Sequence, residues 1–370
     1  MTLKDRWLAL RDRLLASEQF HRFAAWFPLT RPIARKEAKA LFDLVAGFVY
    51  SQILYACVKL NLFEILSKGT QSQASLADQC GLSEDAMVRL LMGAESLRLV
   101  ERRSDDHWGL GMLGGVLVGN TAVTALVHHH ATLYADLRDP IALLRGETTP
   151  NLSGYWPYAD ETASSPTMLS AERVREYSEL MSASQPLVAS EILSAFPFSQ
   201  HRRLIDVGGG QGTFLLAAAA RFPSLELMLF DLPGVAELAR ENFQRAGIAS
   251  RATAYGGSFF EASLPSGADV ASLIRVLYDH DDHRALAILK AVRAALPAGG
   301  KLLVAEPMSG TKGAESMGDA YFGFYLLAMG KGRSRSADRL MELIQEAGFR
   351  DPKLVPTRLP LQTRMVVAIV

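Results

Sequence analysis

A glycine-rich segment between two apolar runs restricts the fold of this chain more than any other feature. Asp206-Val-Gly-Gly-Gly-Gln-Gly-Thr213 follows the apolar pair Leu204-Ile205 and precedes a helix-like run, and Asp231 ends the next apolar run. A strand, a glycine loop, a helix, a second strand and an acid form a nucleotide-binding βαβ unit. Glycines let the backbone approach a ligand, and the carboxylate can accept hydrogen bonds from ribose hydroxyls. The sequence therefore predicts an α/β fold that binds a nucleoside.

The spacing of the glycines distinguishes between two kinds of nucleotide. They alternate as Gly208, Gly210 and Gly212, and Thr213 stands where a dinucleotide-binding loop has its third glycine. This pattern looks like the loop of class I methyltransferases that binds S-adenosylmethionine, whose product is S-adenosylhomocysteine. A nicotinamide oxidoreductase is the less favoured interpretation.

Strands and helices alternate over residues 201–370, which predicts a doubly wound sheet. The last two candidate strands would form an antiparallel pair. Such a pair fits the Rossmann-like sheet of class I methyltransferases, whereas the sheet of a dehydrogenase stays parallel. The candidate strands are Leu204–Val207, Leu225–Phe230, Thr253–Gly256, Val270–Val276, Lys301–Ala305, Lys353–Pro356 and Met365–Ile369.

Residues 40–120 have the pattern of a small helical domain with a β-wing. One helix is expected to end at Gly81, and Ser83, followed by two acids, is expected to cap the next helix. Leu99–Arg103 and His107–Leu110 are the candidate strands of the wing. This arrangement resembles a winged helix.

A winged helix raises the possibility of a DNA-binding regulator, for instance one that senses S-adenosylmethionine. The helix that would enter the DNA begins with Glu84 and Asp85 and has only Arg89 and Arg98 as cations. The acids disfavour approach to phosphate, and no set of base-reading side chains is present. We therefore expect no nucleic-acid partner.

The first 39 residues form a distinct basic segment with nine Lys or Arg and four Asp or Glu. Apolar residues recur at helical spacing, and Pro28 and Pro32 are expected to interrupt the helix. A basic amphipathic helix with Trp and Phe can lie on an anionic membrane surface. It can also pack on a partner subunit, and the sequence leaves both interpretations open. The apolar residues are Leu3, Trp7, Leu10, Leu14, Phe20, Phe23, Trp26 and Phe27.

The charge balance and the cysteines favour a cytoplasmic protein. Lys plus Arg equals Asp plus Glu, 39 each, so no basic excess indicates a nucleic acid. Cys57 and Cys80 are expected to be reduced thiols. The charged N-terminus lacks a signal-peptide core. The longest uncharged apolar run, Leu44–Val58, has 15 residues, fewer than the roughly 20 that a membrane span needs.

Six blocks, in order, together resemble one family. They are Leu204–Gly212, Phe230–Pro233, Gly256–Glu261, Arg275–Asp282, Leu303–Pro307 and Gly330–Ser334. Over about residues 40–370 the chain resembles the S-adenosylmethionine-dependent O-methyltransferases that have an N-terminal winged-helix dimerisation domain. The resemblance implies a dimerisation domain at 40–120, a helical linker and substrate-pocket region at 121–200, a catalytic domain at 201–370, and a homodimer.

Within this family, Arg31–Phe48 is similar to the hydroxyneurosporene (demethylspheroidene) O-methyltransferases of purple phototrophic bacteria. This implies a lipophilic acceptor with a tertiary hydroxyl, a hydroxycarotenoid, and an enzyme that contacts the cytoplasmic face of the photosynthetic membrane through residues 1–39. A phenolic or polyketide acceptor is the alternative. Candidate pocket residues are Met168, Met181, Phe322, Phe324, Tyr325, Leu326 and Met329.

The resemblance also implies a cofactor site. Asp206 would orient the glycine loop or meet the amino group of the cofactor, and Asp231 would accept both ribose hydroxyls. Leu232 and Phe259 would flank the adenine, and Ser258 replaces the usual aspartate before that aromatic residue. The full set is Asp206, Gly208, Gly210, Gly212, Asp231, Leu232, Ser258, Phe259 and Arg275.

The expected catalytic segment departs from the family pattern. Tyr278 stands where the family has its histidine base, Asp279 follows it, and His280 stands where a tryptophan is usual. His280 could replace the base, Tyr278 could orient the hydroxyl, or proximity and desolvation alone could suffice. Glu306 matches an acid that orients the base in plant relatives, whereas Gly332 replaces the second such acid.

Three adjacent histidines, His128-His129-His130, occur in a helix-like stretch. Neighbouring residues of a helix point in different directions, so the three cannot share one metal ion. We expect no metal site, and we expect these histidines to be hydrogen-bonded residues near the core or beside a pocket.

Overall fold

The computed structural model describes residues 2–104, 106–154, 185–261, 263–330, 332–358 and 363–370. The chain divides into two compact units, Met1–Asn120 and Thr121–Val370. The candidate pocket residues Met168 and Met181 lie outside the described residues.

The first unit is mainly helical. Its core includes the fully buried Leu62, Met87, Leu91 and Trp108. Its elements are α1 (Leu3–Leu15), α2 (Glu18–Trp26), α3 (Arg31–Lys59), α4 (Leu62–Ser67), β1 (Gln71–Ser72), α5 (Gln73–Cys80), α6 (Glu84–Ser96), β2 (Val100–Arg102), β3 (His107–Leu110) and α7 (Met112–Leu117).

The helix ends and the wing agree with the sequence pattern. Gly81 ends α5 in the left-handed conformation, with φ of 66°, and the Ser83 side chain accepts the backbone N–H of Ala86 at the start of α6. β2 and β3 pair antiparallel, and β1 joins the far edge of β3. Arg89 on α6 is paired with Asp85.

The long helix α3 differs from the expected pattern at its start. Pro32 does not interrupt the helix but lies in its first turn, where its missing N–H costs no hydrogen bond. By length and composition alone, this 29-residue helix is able to cross a membrane, although its uncharged run is short. Only 11% of the apolar 18-residue stretch of this helix is buried within the chain.

The second unit is built on one seven-stranded sheet in the order β6-β5-β4-β7-β8-β10-β9. The strands are β4 (Arg203–Val207), β5 (Glu226–Asp231), β6 (Ala252–Gly256), β7 (Val270–Ile274), β8 (Lys301–Glu306), β9 (Arg350–Val355) and β10 (Arg364–Ile369). Strands β4 to β8 pair in parallel, and β10 pairs antiparallel with β8 and β9. The predicted terminal antiparallel pair is confirmed.

Helices cover both faces of this sheet. The helices are α8 (Thr121–Asp136), α9 (Pro140–Arg145), α10 (residues 185–195), α11 (Thr213–Arg221), α12 (Pro233–Arg245), α13 (Asp282–Ala295), α14 (Phe322–Met329) and α15 (Ala337–Glu346). Residues of α13 and α15 share one buried apolar cluster with the sheet, and residues of α10, α11 and α12 share the cluster on the other face. Strands buried on both sides read as continuous apolar runs, which is why the sequence located them.

One predicted strand ends earlier than expected. β7 ends at Ile274 rather than Val276, because Arg275 adopts a positive φ of 55° that a strand cannot accommodate. A 3₁₀ turn, Leu277–Asp279, follows at once. The chain therefore bends sharply at the carboxyl edge of the sheet, where ligands bind in open α/β folds.

Candidate active site

The glycine loop lies at the carboxyl end of β4 and has no room for a side chain at Gly208, Gly209 or Gly212. A Cβ on Gly208 would lie 2.7 Å from Val276 Cγ2, and one on Gly212 would lie 2.6 Å from Phe243 Cε1. Both residues have positive φ, 73° and 82°, which favours glycine. The backbone therefore passes close to its neighbours here, as the alternating glycines predict.

Asp231, at the end of β5, holds this loop in place. Its carboxylate is buried, and its two oxygens accept the backbone N–H of Gly210 at 2.8 Å and that of Leu232 at 2.7 Å. A carboxylate oxygen can accept two hydrogen bonds. The acid and the loop thus form one unit, although the sequence separates them by about 20 residues.

Asp206, the last-but-one residue of β4, lies directly under the loop. Its Oδ1 accepts a hydrogen bond from Ser272 Oγ at 2.6 Å, and its buried Oδ2 has no partner among the residues that the structure describes. Burial raises the pKa of Asp206 to about 7, and the nearby Asp231 charge adds to the rise. A buried carboxyl with an unused oxygen is a fitting partner for a cationic group of a ligand.

The segment after β6 closes one side of the loop. Phe259 is buried, its ring edge lies 3.4 Å from the position of a Cβ on Gly208, and its centroid is 6.0 Å from that of Phe230. Ser258 Oγ accepts the backbone N–H of Phe260 at 3.3 Å, so this hydroxyl stabilises its own turn.

The segment after β7 is buried: Tyr278, Asp279 and His280 are 3%, 4% and 1% exposed. The side chains of Tyr278 and His280 have different neighbours. The Tyr278 ring packs edge-on against Phe322 at 6.1 Å, whereas the His280 ring packs edge-on against Phe260 at 5.8 Å. The structure thus brings Tyr278 to the start of α14 and His280 to the segment beside Phe259.

These environments affect the ionisation of the two residues in different ways. Burial is the largest influence raising the pKa of Tyr278 well above its usual value, so its phenol keeps its proton at neutral pH. Burial lowers the pKa of His280 to about 4, and the Arg284 and Arg335 charges add to this effect. The imidazole of His280 is therefore neutral at pH 7.

Two buried carboxyls accompany Tyr278. Glu306 Oε2 accepts the backbone N–H of Tyr278 at 3.1 Å, so this acid fixes the peptide backbone of the segment. Burial raises the pKa of Glu306 to about 7 and that of Asp279 well above its usual value, with the Glu306 charge as the second cause. Glu306 Oε1 and Asp279 Oδ1 are without partners within the described part of the chain.

The structure explains why the second family acid is missing. A Cβ on Gly332 would lie 2.8 Å from the carbonyl oxygen of Tyr278 and 2.9 Å from Leu326 Cδ2. The neighbouring Arg333 donates its backbone N–H to the same Tyr278 carbonyl at 2.7 Å. This close backbone contact leaves no space for a glutamate side chain.

Arg335 is a residue that the sequence analysis did not find. Its side chain is buried and donates to the carbonyl oxygens of Leu277 at 2.8 Å and His280 at 2.6 Å and to Asp282 at 2.8 Å. It thus fixes both ends of the segment 277–282, which holds the candidate catalytic residues. It follows the last family block by one residue, but nothing in that block indicates a contact more than 50 residues back along the chain.

The candidate pocket residues separate into two groups. Phe322, Tyr325, Leu326 and Met329 share one apolar cluster with Tyr278. Phe324, from the same helix, is exposed and faces away from that cluster. The charge of Arg275 opposes the rise in pKa of Tyr278, Asp279 and Tyr325. We infer from this effect that Arg275 lies beside the cluster.

Comparison with known protein families explains this arrangement. Residues 134–350 match the model of the O-methyltransferase domain, and residues 42–127 match that of the O-methyltransferase dimerisation domain. The chain belongs to the O-methyltransferase family. It is an S-adenosylmethionine-dependent enzyme with a class I methyltransferase fold, as its glycine spacing and terminal strand pair predicted.

Two relatives match this enzyme over most of its length. Demethylspheroidene O-methyltransferase of Cereibacter sphaeroides is 43% identical, with 96% of this chain and 93% of that protein covered. The protein of the same name from Rhodobacter capsulatus is 38% identical, with coverage of 96% and 88%. A phenazine O-methyltransferase of Lysobacter antibioticus is 28% identical over 86% of this chain and 92% of that protein.

Solved structures share the fold. The mitomycin 7-O-methyltransferase has a TM-score of 0.76 at 24% identity and covers 92% of this enzyme and all of that chain. Human N-acetylserotonin methyltransferase, solved in complex with S-adenosylmethionine, has a TM-score of 0.75 at 22% identity, with coverage of 90% and 97%.

Proposed function

We propose that the enzyme transfers the methyl group of S-adenosylmethionine to a tertiary hydroxyl of a hydroxycarotenoid. The observation that supports this acceptor most strongly is the 43% identity to a demethylspheroidene O-methyltransferase over nearly the full length of both chains. The more distant relatives, at 28–29% identity, act on other acceptors by name. The apolar cluster around Tyr278 and α14 suits a lipophilic molecule.

The residues around the glycine loop fit the cofactor. In our proposal Gly208, Gly210 and Gly212 allow the backbone to approach it, and Asp231 accepts the ribose hydroxyls. The unpaired Oδ2 of Asp206 receives the amino group of its methionine part, because a cation there would offset the cost of burying the carboxylate.

The remaining cofactor residues lie beside the adenine in this proposal. Leu232 and Phe259 flank the ring, and His280 lies behind them, through its contact with Phe260. The Ser258 hydroxyl accepts a hydrogen bond within its own turn. In this proposal the adenine amino group is therefore bound by another acceptor. Arg275 is nearer to the acceptor side, because its charge acts on Tyr278 and Tyr325.

The cofactor supplies a methyl group that is already activated on a sulfonium. The protein therefore has to hold the acceptor hydroxyl in line and keep water out, and such positioning can contribute about 7–11 kcal/mol at best. Tyr278 keeps its proton and is suited to orient a hydroxyl rather than to deprotonate it. His280 is neutral, but its ring packs beside Phe260 and away from the Tyr278 ring. Asp279 and Glu306 have raised pKa values.

The acceptor is tested directly by labelling. Purified enzyme given S-adenosylmethionine with a labelled methyl group is expected to label hydroxyneurosporene in detergent or vesicles and to leave an equimolar catechol unlabelled. The Asp231→Asn variant serves as the matched blank. Label in the catechol alone would replace the carotenoid by a phenolic acceptor, and label in neither would reject both.

Cofactor affinity is expected to rise between pH 6 and pH 8. The raised pKa of Asp206, about 7, means that in the free enzyme the carboxyl is protonated below this pH. A neutral carboxyl cannot pair with an ammonium group, so binding releases a proton, and affinity falls by up to about tenfold for each pH unit below 7. Calorimetric titration with S-adenosylhomocysteine measures this, and Asp206→Asn should remove the pH dependence. A flat profile in the unchanged enzyme would contradict this role of Asp206.

We further propose that the enzyme is a homodimer that contacts an anionic membrane through residues 1–39. The matching dimerisation domain supports the dimer, and the exposed apolar side chains of α3 from Phe42 onwards fall within it. Helices α1 and α2 expose Trp7 and Trp26, 64% and 69% accessible, on a basic segment.

The membrane contact is tested with tryptophan variants. Changing both Trp7 and Trp26 to serine is expected to reduce co-sedimentation with vesicles that contain anionic lipid, because each ring loses apolar contact at the interface. Met112→Ser, at another exposed apolar position of the same unit, is the control. Equal binding of all three proteins would reject the proposal.

A further inference from the structure

Two histidine–tyrosine pairs connect α8 to the segment 321–325, and the proposed function uses neither of them. His129 Nε2 lies 3.0 Å from Tyr325 Oη, and His130 Nε2 lies 2.9 Å from Tyr321 Oη. The two histidines are neighbours on α8, whereas Tyr325 lies on α14 and Tyr321 directly precedes that helix. Two members of the histidine run that the sequence singled out are therefore hydrogen-bonded to phenols.

The two tyrosines have different surroundings. Tyr325 is 5% exposed and shares a buried cluster with Tyr278. Both of these rings pack edge-on against Phe322, at 6.4 and 6.1 Å. Burial is the main influence that raises the pKa of Tyr325, and the charges of Tyr321, Asp279 and Arg275 act on it as well. Burial is also the largest influence that raises the pKa of Tyr321, and the charge of Tyr134 on α8 adds to the rise. Both tyrosines thus contact α8, but Asp279 and Arg275 act on the pKa of Tyr325 and not on that of Tyr321 as far as the described residues show.

The reaction needs a group that takes the proton from the acceptor. A tertiary alcohol is a weak acid and loses its proton only as the new C–O bond forms, so the proton must have a path at that moment. Tyr278 stands where the family pattern has a histidine base. Its ring lies in the same cluster as Tyr325. A phenol with a base behind it can accept one proton while it donates its own, without ionising.

Building on the proposed function, we propose that Tyr325 and His129 form the proton relay for the acceptor hydroxyl. As the acceptor oxygen bonds to the methyl carbon and the C–S bond breaks, the acceptor O–H bond also breaks and its proton passes to Tyr325 Oη. The hydrogen of Tyr325 passes to His129 Nε2, and the imidazolium of this half-buried residue returns it to water. Tyr325 touches the substrate, and His129 acts through Tyr325. The relay requires the tautomer of His129 with its hydrogen on Nδ1.

The relay is tested with two pairs of matched variants. Tyr325→Phe and His129→Gln are each expected to lower kcat by about 10²-fold and to leave KM for both substrates nearly unchanged, because binding contacts remain and proton transfer is lost. Tyr321→Phe and His130→Gln change the parallel pair in the same way and are expected to keep nearly the full kcat. Thermal unfolding of all four variants shows whether each change is confined to catalysis.

The outcomes separate this proposal from the choice of acceptor. Wild-type kcat in Tyr325→Phe overturns the relay, and so does an equal loss of kcat in both pairs, because that result indicates a role in packing alone. If the unchanged enzyme labels catechol instead of hydroxyneurosporene, the proposed acceptor fails. The same four variants then test the relay on the acceptor that is methylated.

Discussion

Asp231→Asn is expected to weaken the binding of S-adenosylhomocysteine by at least about 10²-fold, because two charge-assisted hydrogen bonds of about 1.5–3 kcal/mol each are affected. In the free enzyme both carboxylate oxygens accept backbone N–H groups, from Gly210 and from Leu232. An amide has one acceptor and one donor end, so its NH₂ group would face one of these N–H groups. The loop and the ribose contact are lost together. Isothermal titration calorimetry measures the change.

The matched control is the acid at the other end of the same strand. Glu226 begins β5 and forms a surface ion pair with Arg203. Exposed pairs contribute little, so Glu226→Gln is expected to bind the ligand like the unchanged enzyme. Undiminished affinity in Asp231→Asn would remove the ribose assignment. Titration with NADH is expected to show no binding, in contrast to a dehydrogenase.

Arg335→Met is expected to lower the free energy of unfolding by at least about 1.5–3 kcal/mol, the usual contribution of one hydrogen bond that involves a charged group. The guanidinium is almost completely buried and bonds to the Leu277 and His280 carbonyls and to Asp282. Methionine fills the space but donates no hydrogen bonds, so Asp282 keeps only its pair with Arg339 and the two carbonyls lose their charged partner. Because the same contacts fix both ends of the catalytic segment, kcat should fall as well. Urea unfolding followed by circular dichroism, together with the methyl-transfer assay, measures both effects.

Two further variants make this test specific. Arg339 pairs with the same Asp282, but its side chain is 39% exposed, so Arg339→Met is expected to cost less than about 1 kcal/mol. Arg335→Lys is expected to restore only part of the lost free energy of unfolding. The three acceptors are arranged around a planar guanidinium, and a single ammonium group cannot reach all of them. An equal decrease in the free energy of unfolding for Arg335→Met and Arg339→Met would show that the buried hydrogen bonds of Arg335 add no stability beyond that of an exposed ion pair.

The sequence predicted the parts of this enzyme that depend on local pattern. Strands buried on both faces are continuous apolar runs, and the alternating glycines correspond to positions such as Gly208 where a side chain does not fit. The pattern failed where the cause is distant in the chain. The early end of β7 at Ile274 comes from the conformation of Arg275, whose N–H bonds to Ala305 on the next strand.

The contacts around Tyr278 and α14 could not be predicted for the same reason. Arg335 meets residues 55 or more positions away, and His129 meets Tyr325 across 196 positions. The sequence singled out the histidine run and named Tyr325 as a candidate pocket residue, but no local signal shows that the two meet or that Arg335 is part of the site. The sequence did show that Tyr278-Asp279-His280 departs from the family, although not that Tyr278 and His280 face different neighbours.

The tight approach of Gly332 to the Tyr278 carbonyl sets a limit on redesign. Replacing Tyr278 by histidine would restore the usual base, but the acid that accompanies it in plant relatives has no space at position 332. The backbone and Leu326 fill the position of that acid. Point substitutions at Tyr278 alone would therefore supply the histidine without the second acid. Engineering this scaffold for phenols would have to begin by remodelling the main chain between α14 and α15. In our proposal the backbone geometry at Gly332 therefore limits the acceptors of the enzyme, in addition to the side chains around Tyr278.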